Sequence, residues 1–237
     1  MELKAEGVSR RYFRESKGSN VFYAVKETDL ALAAGTLTEI TGRSGSGKST
    51  LLHMLAGLLA PTAGRVLLDD TDIYTLDDAA RSRLRNEKLG VIPQGHTGLR
   101  SLTVLENVTL PCVMYGESAP EEAALALLEK VGIAHLKDAY PNELSGGELR
   151  RMSVARALIK APGVLLADEP TGDLDDENTH AVLRLLRQSA DEGAAVLLVT
   201  HEREAAAYAD RVYRMNDGVL TEEHSPRGGY PDGEGGV

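Results

Sequence analysis

The segment ITGRSGSGKST runs from Ile40 to Thr50, and within it Gly42, Gly47, Lys48 and Ser49 match G-x-x-x-x-G-K-[ST] without a gap. Glycines at 42, 45 and 47 let successive backbone N–H groups turn inward around an anion. A helix beginning near Lys48 adds its positive end, where phosphate binds readily. Arg43, Ser44, Gly45, Ser46 and Thr50 complete the loop, so residues 42–50 are the expected wrap around a triphosphate. Lys48 has the reach for the β- and γ-phosphates, and the Ser49 hydroxyl is a ligand for Mg²⁺. The strand-like run Leu37–Ile40 precedes the loop and the helical pattern Lys48–Leu58 follows it, the context this chemistry requires. A Gly/Ser-rich connector that merely ends in lysine would need neither. Kinases, GTPases, helicases and transport ATPases all use such a loop, but the guanine-reading N-K-x-D of a GTPase is absent.

Two further runs, Val164–Ala167 and Ala194–Val199, are short, apolar and end in polar residues. Runs of this length suit strands buried on both faces of a parallel sheet. Helical patterns such as Asp176–Ala190 lie between the runs, and the alternation predicts a doubly wound α/β core. The first 35 residues alternate apolar and polar around a Lys17–Asn20 turn and read as antiparallel strands on the edge of that core. Thr103–Lys160 carries helical patterns and no strand, as a helical insert would. The chain thus divides into one domain over 1–223, with a helical insert at about 95–160, and a Gly/Pro-rich tail over 224–237 that predicts flexibility.

Composition narrows the function classes. A net charge of −10, from 36 acids and 26 bases, argues against a nucleic-acid partner. The local basic cluster Arg81, Arg83, Arg85 and Lys88 reads as a solvated helix face. Cys112 is the only cysteine, so no internal disulfide or Cys-based zinc site forms, which suits a reducing compartment. The N-terminus MELKAEGVSRRYF holds no apolar stretch of a secretory leader, and no run approaches the ~18 apolar residues of a membrane span. Membrane contact is therefore expected to come through a partner.

Asp168 and Glu169 stand at the end of the run VLLADEP, the strand edge where open α/β sheets bind ligands. Phosphoryl transfer needs a metal-side acid and a group that orients or deprotonates the nucleophile. The two acids divide these tasks: Asp168 toward Mg²⁺ and Glu169 toward the attacking water. His201 closes the next apolar run and is placed to hydrogen-bond a γ-phosphate oxygen. Gln94 follows LGVIP and is a candidate for the Mg²⁺ shell. In LSGGELRR, Ser145 and Glu148 form a capping box at a helix start. Gly146 and Gly147 in the first turn each cost up to ~1 kcal/mol of helix propensity. Close approach to a second anion accounts for that cost, and the anion expected is a nucleotide held by another copy of the chain.

The phosphate loop, Gln94, LSGGE, LLADEP, GDLD and TH, in this order, resemble an ATP-binding-cassette (ABC) ATPase from about Leu3 to Leu220. The resemblance implies an α/β fold: a P-loop NTPase core with a mostly parallel sheet, an N-terminal antiparallel β subdomain and an inserted α-helical subdomain. It implies ATP and Mg²⁺ as cofactors, catalysis by Glu169, His201 and Lys48, and an adenine stacked on Tyr12. It also implies an ATP-dependent homodimer in which Ser145, Gly146, Gly147, Glu148 and Asp175 reach the partner's site. LTVLENVTLP and ADEPTGDLD are similar to the lipoprotein-releasing, macrolide/peptide-exporting and cell-division branch. That likeness implies a permease with an extracytoplasmic domain and a cytoplasmic subunit peripheral to the inner face of the cell membrane. Arg43 and the segment QGHTGLR depart from the branch pattern. The competing reading is a soluble ABC ATPase with a non-transport role such as iron–sulfur cluster assembly.

Overall fold

The computed structural model describes residues 1–13, 21–95 and 97–223. In chain order the elements are β1 (Leu3–Phe13), β2 (Val21–Leu32), β3 (Leu37–Thr41), α1 (Lys48–Leu55), β4 (Ala63–Leu68), β5 (Thr71–Asp72), α2 (Asp78–Lys88), β6 (Leu89–Ile92), α3 (Val104–Val113), α4 (Glu121–Lys130), α5 (Gly146–Leu158), β7 (Val164–Asp168), α6 (Asp176–Asp191), β8 (Ala195–Val199), β9 (Arg211–Asn216) and β10 (Val219–Glu223). Six strands form one sheet in the order β10-β9-β3-β8-β7-β6, parallel except for the β9–β10 hairpin.

Aliphatic residues fill β8 and the first four positions of β7, and every position of both strands is buried. Successive side chains alternate between two cores. Val164 and Leu166 join α1 and the antiparallel strands, while Leu165 and Ala167 join α3, α4, α5 and α6. The parallel sheet is therefore covered on both faces, as its unbroken apolar strands demand.

The first strands pair antiparallel, with Leu3 opposite Leu32, but they do not extend the edge of the parallel sheet. They join β4 and β5 in a separate sheet of order β2-β1-β4-β5, with Leu68 on the other side of Leu3. Leu3, Ala5, Val8 and Val66 need a core of their own to face, and the layer over α1 supplies it. The helix expected to reach Leu58 ends at Leu55, because the chain turns into a left-handed conformation at Gly57 (φ 67°). The predicted Lys17–Asn20 turn and the tail 224–237 lie outside the described residues. The basic cluster lies on α2, which buries none of its residues. Part of it serves the protein itself: Arg85 donates to the Gly57 carbonyl and Arg81 lies over the Tyr74 ring.

One residue of the central strand breaks its apolar character. Glu39 lies between Leu198 and Val212 in the sheet, is fully buried, and neither carboxylate oxygen has a hydrogen-bond partner. Burial, reinforced by the Glu223 carboxylate, pushes its pKa from 4.5 up to about 7.

Candidate nucleotide site

The loop between β3 and α1 is held by close backbone contacts. Gly42 (φ 150°) and Gly47 (φ 111°) both have positive φ. A Cβ at Gly42 would lie 2.3 Å from the Met215 carbonyl oxygen, and one at Gly47 would lie 2.1 Å from that of Ala24. The two glycines of the motif are thus the only residue type these positions accept, and β9 and β2 are the reason. Lys48 opens α1 and is buried within the loop, donating from Nζ to the carbonyls of Gly42 (2.7 Å) and Arg43 (3.2 Å). Its ammonium is therefore fixed where a phosphate would lie, beside a helix N-terminus.

The parallel sheet aligns the other polar groups with this loop. The carboxyl ends of β3, β8, β7 and β6 carry the loop, His201, Asp168–Glu169 and Gln94 to one edge. Asp168 is fully buried and neither oxygen has a hydrogen-bond partner of proper geometry. Burial raises its pKa, and the nearby Ser49 hydroxyl opposes that shift without satisfying the group. Glu169 has left-handed backbone (φ 49°), a conformation non-glycine residues seldom hold. Its N–H donates to Val199 O at 2.8 Å, which anchors the turn, and its Oε2 lies 2.9 Å from His201 Nδ1. The two acids are separated by this backbone reversal: one lies beneath the loop and the other beside it.

A cavity of about 1020 Å³ joins these groups. Tyr12, Gly42, Arg43, Ser44, Gly45, Gly47, Lys48, Ser49, Thr50, Gln94, Glu169 and His201 all line it. Ser46 does not; it turns inward, its Oγ buried without a partner and its carbonyl accepting from the Gly218 N–H. Asp168 also lies behind the lining. Tyr12 is directly opposite Phe22 in the β1–β2 ladder, so two aromatic rings stand at one end of the cavity. Phe22 and Arg150 were missed by motif reading. The alternation of β2 signals the first; nothing in LSGGELRR marks the second.

Ser145, Gly146, Gly147, Glu148 and Asp175 lie outside this cavity. Ser145 caps α5, and its N–H and Oγ both donate to Glu148 Oε2 at 2.7 Å. These bonds hold the Glu148 pKa down, the backbone N–H first. Gly147 has a packing reason of its own: a Cβ there would lie 3.2 Å from a Leu174 methyl and 3.3 Å from the Asp173 carbonyl oxygen. Asp175 caps α6 by accepting from the Asn178 N–H at 2.8 Å, which lowers its pKa. No group of three or more His, Cys, Asp or Glu suited to a metal occurs among the described residues. No helix among them is long and apolar enough to cross a membrane.

A family model described as "ABC transporter" matches residues 25–172, which spans the loop, the Gln94 segment, the glycine pair and the strand-end acids. The chain belongs to the ABC transporter family. Within it, the chain is an ATP-binding, ATP-hydrolysing cassette. It is 42% identical to the lipoprotein-releasing system ATP-binding protein LolD of Xanthomonas oryzae pv. oryzae over 93% of this chain and 90% of that one. It is equally 42% identical to the LolD of Shewanella sp. over 92% and 94%. Among solved structures it is similar to the ATP-binding cassette MJ0796, in a dimeric post-hydrolysis state bound to ADP and Pi. That match has a TM-score of 0.88 and 33% identity, and covers 95% of this chain and 99% of that one. The ABC fold expected from the motifs, with its mostly parallel core, antiparallel β layer and helical layer, is the one observed.

Proposed function

We propose that this cassette hydrolyses ATP with Glu169 as the base and that its turnover drives a separate membrane permease of the lipoprotein-release type. The observation that carries the chemistry is the buried Asp168 carboxylate, without a hydrogen-bond partner of proper geometry, next in the chain to the Glu169–His201 pair that lines one cavity with Lys48 and the loop. Two buried carboxylate oxygens without a donor call for a cation. With the Ser49 hydroxyl and the Gln94 amide they make an all-oxygen set of the kind Mg²⁺ takes. Ser49, Gln94 and Asp168 would hold the ion, Asp168 through water, and Mg²⁺ would neutralise charge on the β- and γ-phosphates.

The protein's own groups divide the rest of the work. Residues 42–50 wrap the triphosphate, with Lys48 offsetting the charge of its terminal groups. Tyr12 stacks on adenine, for which its ring has an exposed face and a cross-strand aromatic neighbour. Water attacks the γ-phosphorus in line, its proton passes to Glu169, and the bond to the β-phosphate oxygen breaks to leave ADP and phosphate. His201 Nδ1 lies 2.9 Å from the Glu169 carboxylate, and the ring's single N–H would be the donor to a γ-phosphate oxygen once ATP is bound. Two chains then pair head to tail around two ATP molecules, each placing Ser145–Gly147 against the partner's nucleotide. The free N–H groups at the start of α5 favour an anion there. The dimeric state of the MJ0796 structures supports this arrangement.

The permease reading rests on the LolD relatives. The permease would carry an extracytoplasmic domain and hold the cassette at the cytoplasmic face of the membrane. Two measurements test the proposal. Glu169→Gln should lower turnover by about 10²–10⁴ while ATP binding survives; near wild-type hydrolysis would place the base elsewhere. Affinity capture from native membranes in mild detergent should recover a four-helix permease with a large extracytoplasmic domain, and a cytosolic scaffold protein in its place would reject the transport role.

A further inference from the structure

Strands β8 and β9 both run parallel to β3 and flank it, so the chain between them has to cross over β3. The crossing segment is the 3-10 helix Arg203–Tyr208, which begins two residues after His201. Ala205 and Ala209 are buried on the sheet face that also takes Leu37, Leu198 and Val212. Alternation along β3 puts Glu39 on the face of Leu37, so the crossover lies over its buried carboxyl.

This cover gives the carboxyl nothing to bond. Its sequence is REAAAY, with Ala205, Ala206 and Ala207 in a row, and neither Glu39 oxygen has a hydrogen-bond partner. Beside Glu39 in the sheet, β8 presents Leu198 and β9 presents Val212. The charged groups of the surrounding elements are committed to one another. Arg187 of α6 pairs with Asp191 at 2.8 Å and with Asp210 at 2.6 Å. Arg214 of β9 pairs with Glu223 of β10 at 3.2 Å. His180 of α6 faces two residues of the crossover, Tyr208 Oη at 3.1 Å and Glu204 Oε2 at 3.5 Å. Arg203 lies outside the described side chains.

The crossover is pinned at its two ends and lightly held between them. Glu202 accepts from Thr171 Oγ1 at 2.6 Å, and Asp210 accepts from the Leu37 N–H at 2.8 Å. Between these anchors the contacts are alanines, which bury little apolar area, and His180. The His180–Glu204 contact is an ion pair only while the imidazole is protonated, so it too weakens as pH rises. A carboxylate formed beneath such a cover has to draw in water. The strands on either side are bonded into the sheet, which leaves the crossover as the element that lifts.

We propose that the Arg203–Tyr208 crossover is a pH-dependent clasp on His201, docked while Glu39 is protonated and lifting as Glu39 ionises. Lifting frees the segment that holds His201 beside Glu169, so hydrolysis slows while the phosphate loop still binds ATP. The catalytic consequence rests on the role proposed above for His201 and adds its regulation.

Hydrogen exchange of a peptide spanning residues 202–210, corrected for the intrinsic exchange rate at each pH, tests the clasp. With pKa values of about 7 in the folded chain and 4.5 when solvated, an opening that solvates Glu39 becomes about thirtyfold more populated between pH 5.5 and pH 8.5. Exchange in the nucleotide-free protein should quicken by about that factor relative to Glu39→Gln, in which any remaining slope belongs to His180. Should glutamine prevent folding, Glu39→Leu carries the same expectation. Equal pH dependence in wild type and variant overturns the clasp, and so does a quickening shared equally by a peptide within β7, which would mean global unfolding. At saturating Mg-ATP, wild-type turnover relative to Glu39→Gln should fall over the same range while relative ATP affinity holds steady; a flat turnover ratio overturns the link to His201. His201→Ala with near wild-type turnover would refute the role proposed for His201, and with it the catalytic consequence, while the exchange measurement still decides the clasp.

Discussion

Glu39→Gln isolates the one carboxyl that the central strand buries without a partner. Its pKa is about 7 in the folded chain, against 4.5 for a free glutamate, so the native state binds its proton more tightly than the unfolded state does. Such a group supports the fold fully below pH 4.5, and its contribution falls as pH rises, until the folded carboxyl has itself ionised just above pH 7. At about 1.4 kcal/mol per pKa unit, the gap between about 7 and 4.5 amounts to about 3 kcal/mol across the whole window. Part of that is already gone at pH 5, so about 2–3 kcal/mol remains to be lost between pH 5 and pH 8.5. Glutamine has the same shape and no charge at any pH, while every other titrating group is common to both proteins. Urea unfolding of the two proteins at several pH values should therefore show the variant gaining on the wild type by that amount as pH rises. The curves should bend near pH 7 and run parallel above pH 8. Curves parallel from pH 5 upward would mean that Glu39 is solvated or paired in solution and that the buried position in β3 is wrong.

Lys48→Ala removes the buried side-chain charge of the loop and should abolish tight Mg-ATP binding in a fluorescent-nucleotide titration; wild-type affinity would refute the phosphate assignment. Asp168→Asn should lose Mg²⁺-dependent ATP binding. Because burial disfavours the Asp168 charge, the nucleotide-free variant should unfold at a urea concentration no lower than wild type at pH 7, and a clear drop would mean the carboxylate is satisfied in the apo protein. Ser145→Arg should cost about 1 kcal/mol of stability through the lost helix cap. It should also prevent ATP-driven dimerisation in the Glu169→Gln background, and an unchanged dimer on sizing chromatography would reduce LSGGE to a cap.

Local chemistry was the legible part of this site. Gly42 and Gly47 announce themselves because a loop around phosphate needs positive φ and bare Cα atoms within one short segment. The same holds for β7 and β8, whose composition alone demands two covered faces. What could not be read is what distant segments bring. Arg150 in LRR looks like any basic residue on a helix, and only the docking of α5 beside β6 buries it against Pro93. Phe22 becomes a site residue only through the β1–β2 register, and Ala24 and Met215 explain the glycines only after β2 and β9 have packed on the loop. Glu39 was passed over because a single acid did not disturb an otherwise strand-like run, although that acid occupies the strand leading into the loop. These residues share a cause. Each acquires its role where two layers meet, and the cost of burying its charge or donor is visible only once both layers are in place. For Arg150 that cost falls between the helical layer and the sheet edge that holds Gln94.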